Sequence, residues 1–211
     1  PDDGDNIVLK AYQLLKSVYN LPPVHIHLHK IIPIGAGLGG GSADAAFTLA
    51  LLNNLFSLGL NDKQLMKYAV NLGADCAFFI KNKPMLATGI GEQLAEVEIS
   101  LEGKFILLAY PGIHISTKQA YSNIMPEQPK MHIRQILAEK EISEWKHFLN
   151  NDFEATLFER YPILMEIKQQ LYDSGAIYAS MSGSGSCMYG IFEDNPQINF
   201  PEHYKIWSGR L

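Results

Sequence analysis

The sequence is poor in cysteine and has no long apolar or basic run. Its two cysteines, Cys76 and Cys187, lie far apart and match no metal-ligand spacing. That pattern excludes a disulfide scaffold and a zinc module. It predicts two buried free thiols and a reducing, cytoplasmic setting. No stretch approaches the ~20 consecutive apolar residues of a helical membrane span, so no membrane partner is expected. Charged residues make up only 18% of the 211, and the net charge is −5. With no Lys/Arg cluster longer than a pair, no track for a phosphate backbone exists, and nucleic acid is excluded as a partner. Repeats and low-complexity runs are absent as well. What is present is enough apolar material for a core, 47% of residues, and glycine concentrated in two places.

The first glycine cluster is Pro33-Ile34-Gly35-Ala36-Gly37-Leu38-Gly39-Gly40-Gly41-Ser42, followed at once by Ala43-Asp44-Ala45-Ala46. Glycine admits positive φ and close approach to the backbone. Consecutive amides in such a loop form an anion nest, and the helix behind it points its positive end to the same place. A phosphate cradle is the reading. A Walker A loop needs Gly-Lys-Ser/Thr at its end, and Gly40-Gly41-Ser42 has no lysine. Gly35 to Gly40 does satisfy G-x-G-x-x-G, but the acidic residue of a dinucleotide fold is missing, and 51–58 continues as helix.

Hydrophobic periodicity and breakers give the rest. Asp5 or Asn6 caps a helix over 7–19. Residues 24–29 alternate strictly and predict a strand whose His25, His27 and His29 share one face. A solvent-facing polar side explains them better than a metal comb, since no carboxylate or cysteine lies nearby. A helix over 42–57 is apolar almost all round and is expected to be buried. A helix over 62–72 ends at Gly73. Strands follow at 85–88, 93–97 and 105–110, then a short helix over 117–123 and an exposed loop over 126–132. Helix fills 142–173 with a break at Tyr161-Pro162. Strands at 177–180, 187–193 and 204–207 surround the second glycine cluster, Ser182-Gly183-Ser184-Gly185-Ser186. Helices and strands mix without βαβ alternation, so the fold class is α+β.

The string from Pro33 to Ala46 resembles the second motif of the GHMP kinases, a superfamily of small-molecule phosphotransferases. Asp5-Asn6-Ile7-Val8, Leu72-Gly73-Ala74-Asp75-Cys76-Ala77-Phe78-Phe79 and Ser182-Gly183-Ser184-Gly185-Ser186-Cys187 agree with it in order, over nearly the whole chain. The Gly-Ala-Asp segment is most similar to the branch that phosphorylates a cytidylyl-linked methylerythritol in the non-mevalonate isoprenoid pathway. The resemblance implies two lobes: a ribosomal-protein-S5-like one over 1–100 and a ferredoxin-like one over 101–211. It implies ATP and Mg²⁺ as cofactors, a cytidylyl small molecule as substrate, and no protein partner. Homoserine or another alcohol as substrate, or a non-catalytic sensor on the same fold, are the alternatives.

Residue by residue, the resemblance implies that Pro33, Gly35, Gly37, Leu38, Gly39, Gly40, Gly41 and Ser42 hold nucleotide phosphate. Ser42 would touch a phosphate oxygen or the metal, or cap the helix. Asp75 would take the proton from the substrate hydroxyl; as an Asp behind a helix it is otherwise a cap or turn residue. Its place beside an apolar stretch predicts partial desolvation. Ser184, Gly185 and Ser186 would contact substrate or phosphate, or form a plain hairpin. Tyr121, with Thr117 one turn earlier on the same face, would stack on the pyrimidine, or pack in the core. Asn6 would contact adenine or cap its helix. The family also carries a lysine-bearing segment ahead of these motifs. Nothing in the sequence matches it, Lys30, Lys81 and Lys83 included, so Pro1 is expected to lie inside a longer protein, and 1–211 alone to be catalytically impaired.

Overall fold

The computed structural model describes residues 6–122, 124 and 131–211. The chain divides into two compact units. One takes the chain as far as Ile31 and then Gly39–Val97; the other takes Ile32–Leu38 and Glu98–Leu211. The division thus falls inside the first glycine cluster, between Leu38 and Gly39.

The first unit is built on helices. Helix α1 (Ile7–Tyr19) starts where Asn6 accepts the Val8 amide, and ends at Asn20 in the left-handed region. Asp5, the other candidate cap, lies outside the described residues. Helix α1 buries Val8, Ala11, Tyr12 and Leu15, and packs on α2 (Gly40–Leu55). Helix α3 (Asp62–Val70) opens with a capping box in which Asn61 and Gln64 satisfy each other's amides. Helix α4 (Cys76–Lys81) follows after Gly73, and strands β1 (Met85–Thr88) and β2 (Gln93–Glu96) form an antiparallel hairpin. The core joins Leu15, Leu49, Leu52, Leu65, Ala69 and Cys76.

Two expectations for this unit fail. Residues 24–29 enter neither sheet. A strand needs a partner to take its amides and carbonyls, and among the described residues none pairs with this segment. The alternation therefore sorts nothing: the histidines, Ile26 and Leu28 are all exposed. Helix α2 is also not buried all round. Ala45, Ala46, Leu49 and Leu52 face the core, whereas Phe47, Leu51 and Leu55, spaced four apart, are 53%, 64% and 62% exposed. It starts at Gly40, two residues ahead of expectation, because Gly39 supplies the cap with φ +63°.

The second unit is a four-stranded antiparallel sheet with helices. Strands β3 (Phe105–Tyr110), β4 (Tyr178–Met181), β5 (Met188–Phe192) and β6 (Lys205–Arg210) lie in the order β4-β5-β3-β6. The helices are α5 (Thr117–Tyr121), α6 (Ile133–Glu139), α7 (Phe153–Arg160) and α8 (Pro162–Asp173), with a 3₁₀ turn at Ile142–His147. Leu164, Ile167 and Leu171 of α8 pack with Leu107, Ala179, Met181 and Met188. Trp145, Ile136, Tyr178 and Ile191 make a second cluster.

The break at Tyr161-Pro162 is where α7 gives way to α8, with Pro162 at a first helical position. The expected 142–173 helix breaks a second time, between the 3₁₀ turn and α7. Helix α6 lies in a stretch for which the periodicity gave no element. Asn123, at the expected end of α5, lies outside the described residues, as does the expected loop as far as residue 130. The α+β class is as expected.

Candidate active site

In the second unit the Pro33–Leu38 part of the first glycine cluster lies beside the second cluster. Ser182 Oγ donates to the Gly37 carbonyl at 2.8 Å, and the Cys187 amide donates to the Ala36 carbonyl at 2.9 Å. A Cβ on Gly37, whose φ is +78°, would sit 2.1 Å from the Ser182 carbonyl oxygen; one on Gly183 would sit 3.0 Å from the Gly37 oxygen. Glycine is required here for backbone to approach backbone. On the other flank His114 Nδ1 lies 3.2 Å from the Ile34 carbonyl, and its ring covers the space above Gly35. Ser186 is fully buried and donates to the Ile113 carbonyl. Its hydroxyl therefore pins the loop and does not face a ligand. Ser184 is half-buried and Gly185 buried.

In the first unit the cluster continues as the start of α2. No side chain caps this helix, and its first turn holds no acidic residue. The amides of Gly40, Gly41 and Ser42 are then the orphan donors at its positive end. Ser42 stands inside the first turn, not at the cap, which is Gly39. Its side chain lies beside the Cys76 thiol and acts on that thiol's pKa. Burial pushes that pKa up, Ser42 opposes the rise, and the neighbouring Asp75 charge adds to it. Ser42 and Asp75 thus flank one cysteine.

Asp75 occupies the cap position of α4 but makes no side-chain bond to it. It does not serve as a cap. It is exposed, unlike the buried Cys76 and Ala77 that follow it, so the partial desolvation expected of it is not found. The hairpin turn comes close to it, since a Cβ on Gly91 would lie 3.6 Å from Asp75 Oδ1. Lys30 is held by Asp44 at 2.5 Å and Lys81 by Asp62 at 3.4 Å.

Tyr121, in the second unit, is 60% exposed, which rules out core packing. Its ring meets Phe153 edge to face at 4.9 Å. Thr117 is exposed at the start of the same short helix. Asn6 spends its side-chain oxygen on the Val8 amide, so the cap accounts for it. Periodicity missed His114, Asn151 and Glu154. Asn151 donates to the carbonyls of Met181 and Gly183, both at 2.8 Å. Glu154, buried, accepts from the Met181 amide and from Ser180 Oγ and pairs with Lys168. The only sequence signal was a polar pair, Asn151-Asp152, ahead of a helix. Among the described residues no group of three His, Cys, Asp or Glu could hold a metal, and no helix is long and apolar enough to cross a membrane.

Comparison with known proteins matches residues 6–83 to the GHMP kinases N terminal domain and 133–200 to the GHMP kinases C terminal model. A 4-diphosphocytidyl-2-C-methyl-D-erythritol kinase from Bacteroides fragilis is 52% identical over 193 residues, 92% of this chain and 70% of that protein. One of the same name from Cytophaga hutchinsonii is 50% identical over 195 residues, 92% and 72% of the two chains. A crystal structure of 4-(cytidine 5'-diphospho)-2C-methyl-D-erythritol kinase is 29% identical with a TM-score of 0.80, covering 99% of this chain and 79% of that one. A homoserine kinase from C. hutchinsonii shares the fold at a TM-score of 0.78, covering 100% and 78%, with 18% identity. The two family models together match more than half of the chain, the Bacteroides fragilis relative agrees across most of it, and the chain belongs to the GHMP kinase family.

Proposed function

We propose that the chain is an ATP-dependent kinase that phosphorylates a hydroxyl of 4-diphosphocytidyl-2-C-methyl-D-erythritol. The observation that carries this is 52% identity, across 92% of the chain, to an enzyme of that name. The homoserine kinase likeness speaks to fold alone and favours no second substrate.

We infer the role of each residue from its surroundings. The orphan amides of Gly40, Gly41 and Ser42 donate to phosphate oxygens as charge shifts to the leaving group. The Gly35–Leu38 turn is braced by Ser182 and His114, and the half-buried Ser184 beside it offers a hydroxyl to a second anionic group. Asp75 accepts the proton of the substrate hydroxyl as its oxygen attacks the γ-phosphorus and ADP departs. Its freedom from capping leaves both oxygens for this. Tyr121 offers its exposed face to the cytosine, with Thr117 beside it. Mg²⁺ binds largely through phosphate and water and needs no carboxylate cage, and none is found among the described residues. Ser42 Oγ is the residue that would reach it, and the ion would neutralise phosphate charge. This reading also places the enzyme in the cytoplasm.

The test is ATP-dependent phosphorylation by the purified full-length protein, with the cytidylyl substrate and homoserine compared. Turnover of the first and not the second is expected. Preferential turnover of homoserine would overturn the substrate assignment.

A further inference from the structure

We propose that Asn151 is a positioning residue that locks the Ser182–Gly185 loop and the Phe153–Tyr121 ring pair into one substrate-binding arrangement. This rests on the kinase reading above.

Asn151 sits between the 3₁₀ turn and α7, half-buried. Asp152 holds the cap position of α7 yet makes no side-chain bond. Asn151 acts from one residue earlier. Its Oδ1 accepts the Phe153 amide at 3.0 Å, and its Nδ2 donates to the carbonyls of Met181 and Gly183. A single side chain so joins the exit of β4, the glycine loop behind it and the first turn of α7. Glu154 grips the same strand end by accepting the Met181 amide at 2.8 Å. Met181 is therefore held on both its amide and its carbonyl by residues three apart.

Both ends of this clamp lead to candidate binding residues. Beyond Gly183 the loop rests on Gly37 through Ser182 Oγ, with no room for a Cβ between them. A shift of a few tenths of an ångström at Gly183 is felt directly by the Gly35–Leu38 turn. Beyond Phe153, the ring edge supports Tyr121, which is too exposed to be oriented by a core. A kinase for a nucleotide-linked alcohol must fix its substrate at both the base and the phosphate end, because misplacement costs rate steeply. Asn151 is bonded toward both.

The experiment compares the parent protein with Asn151→Asp and Phe153→Leu. Asn151→Asp keeps the acceptor for the Phe153 amide and turns the two-donor amide into an oxygen facing two carbonyls. We expect kcat/KM for the cytidylyl substrate to fall about tenfold or more, the scale of a buried hydrogen bond lost to an unpaired acceptor. KM for ATP should stay within about twofold, since the Gly40–Ser42 amides are untouched. Phe153→Leu should raise KM for the cytidylyl substrate roughly three- to tenfold by loss of the ring partner. Parent-like kinetics in a folded Asn151→Asp, or equal losses for both substrates, would overturn the proposal. Should Asn151→Asp not fold, an unchanged KM in Phe153→Leu would do so. Should the parent itself not phosphorylate the cytidylyl substrate, the functional reading falls first. The clamp is then read by amide hydrogen exchange at 182–185: faster exchange in Asn151→Asp supports it, and unchanged exchange rejects it.

Discussion

Ser182 Oγ donates to the carbonyl of Gly37 at 2.8 Å, across 145 residues of sequence. The contact is backbone against backbone on one side, since a Cβ on Gly37 would stand 2.1 Å from the Ser182 carbonyl oxygen. Gly37→Ala must therefore both force a non-glycine residue to φ +78° and push the two loops apart. The left-handed conformation alone costs about 1–2 kcal/mol. We expect a lower melting temperature together with impaired turnover, measured by thermal unfolding and steady-state kinetics. A variant with parent stability would show that the loops separate without cost.

Asp75→Asn should leave the fold intact, because the carboxylate caps nothing. With Asp75 as the base, the rate of phosphoryl transfer should drop by ~10²–10⁴. ATP affinity should hold. Rapid-quench measurement of the chemical step together with an ATP titration checks both statements, and unchanged chemistry would reassign the base.

Tyr121→Ala removes a ring that is 60% exposed, so stability should change little. Affinity for the cytidylyl substrate should weaken by roughly 1–3 kcal/mol, the scale of base–aromatic stacking. Calorimetric titration with cytidine diphosphate and with ATP separates the two nucleotides, and only the first should respond.

Both cysteines are free and buried, and burial pushes Cys187 up to about 12 from an ordinary value of 9.0. Between those values the folded state keeps a proton that the unfolded chain releases. Stability from this group is then complete below pH 9.0 and is lost as pH rises toward about 12. Denaturant unfolding between those limits should show the decline, and Cys187→Ser should make it shallower without abolishing it, because burial also raises Cys76, Tyr178 and Tyr189. Thiol reagents at neutral pH should label neither cysteine until the chain unfolds.

Much of the fold was legible because its signals are local. The Asp5-Asn6 pair marked the start of α1, the strand pattern at 85–88 and 93–97 marked the hairpin, and Pro162 marked the α7–α8 break. Helix α4 escaped because six residues, mostly apolar, have no period that separates helix from buried strand. Residues 24–29 misled for the opposite reason: their alternation is complete, but no described strand pairs with it. The outer face of α2 was misjudged because composition does not reveal which side of an apolar helix finds a neighbour.

The candidate site divides in the same way. Glycine content marked the first loop as a candidate phosphate cradle, since glycine allows close backbone approach, whereas the second glycine loop and Asp75 became candidates through the family resemblance of the residues around them. The sequence could not say that Asp75 is exposed and uncapped, that the hydroxyl of Ser186 is turned inward, or that Tyr121 leans on Phe153. Nor could it single out Asn151, an ordinary polar residue before a helix. Those outcomes depend on which carbonyls and rings arrive beside each side chain. Hydrogen bonds between segments as distant as Asn151 and Gly183, or Gly37 and Ser182, exist only once the tertiary structure has closed. The residue types were set by the sequence; their partners were set by the fold.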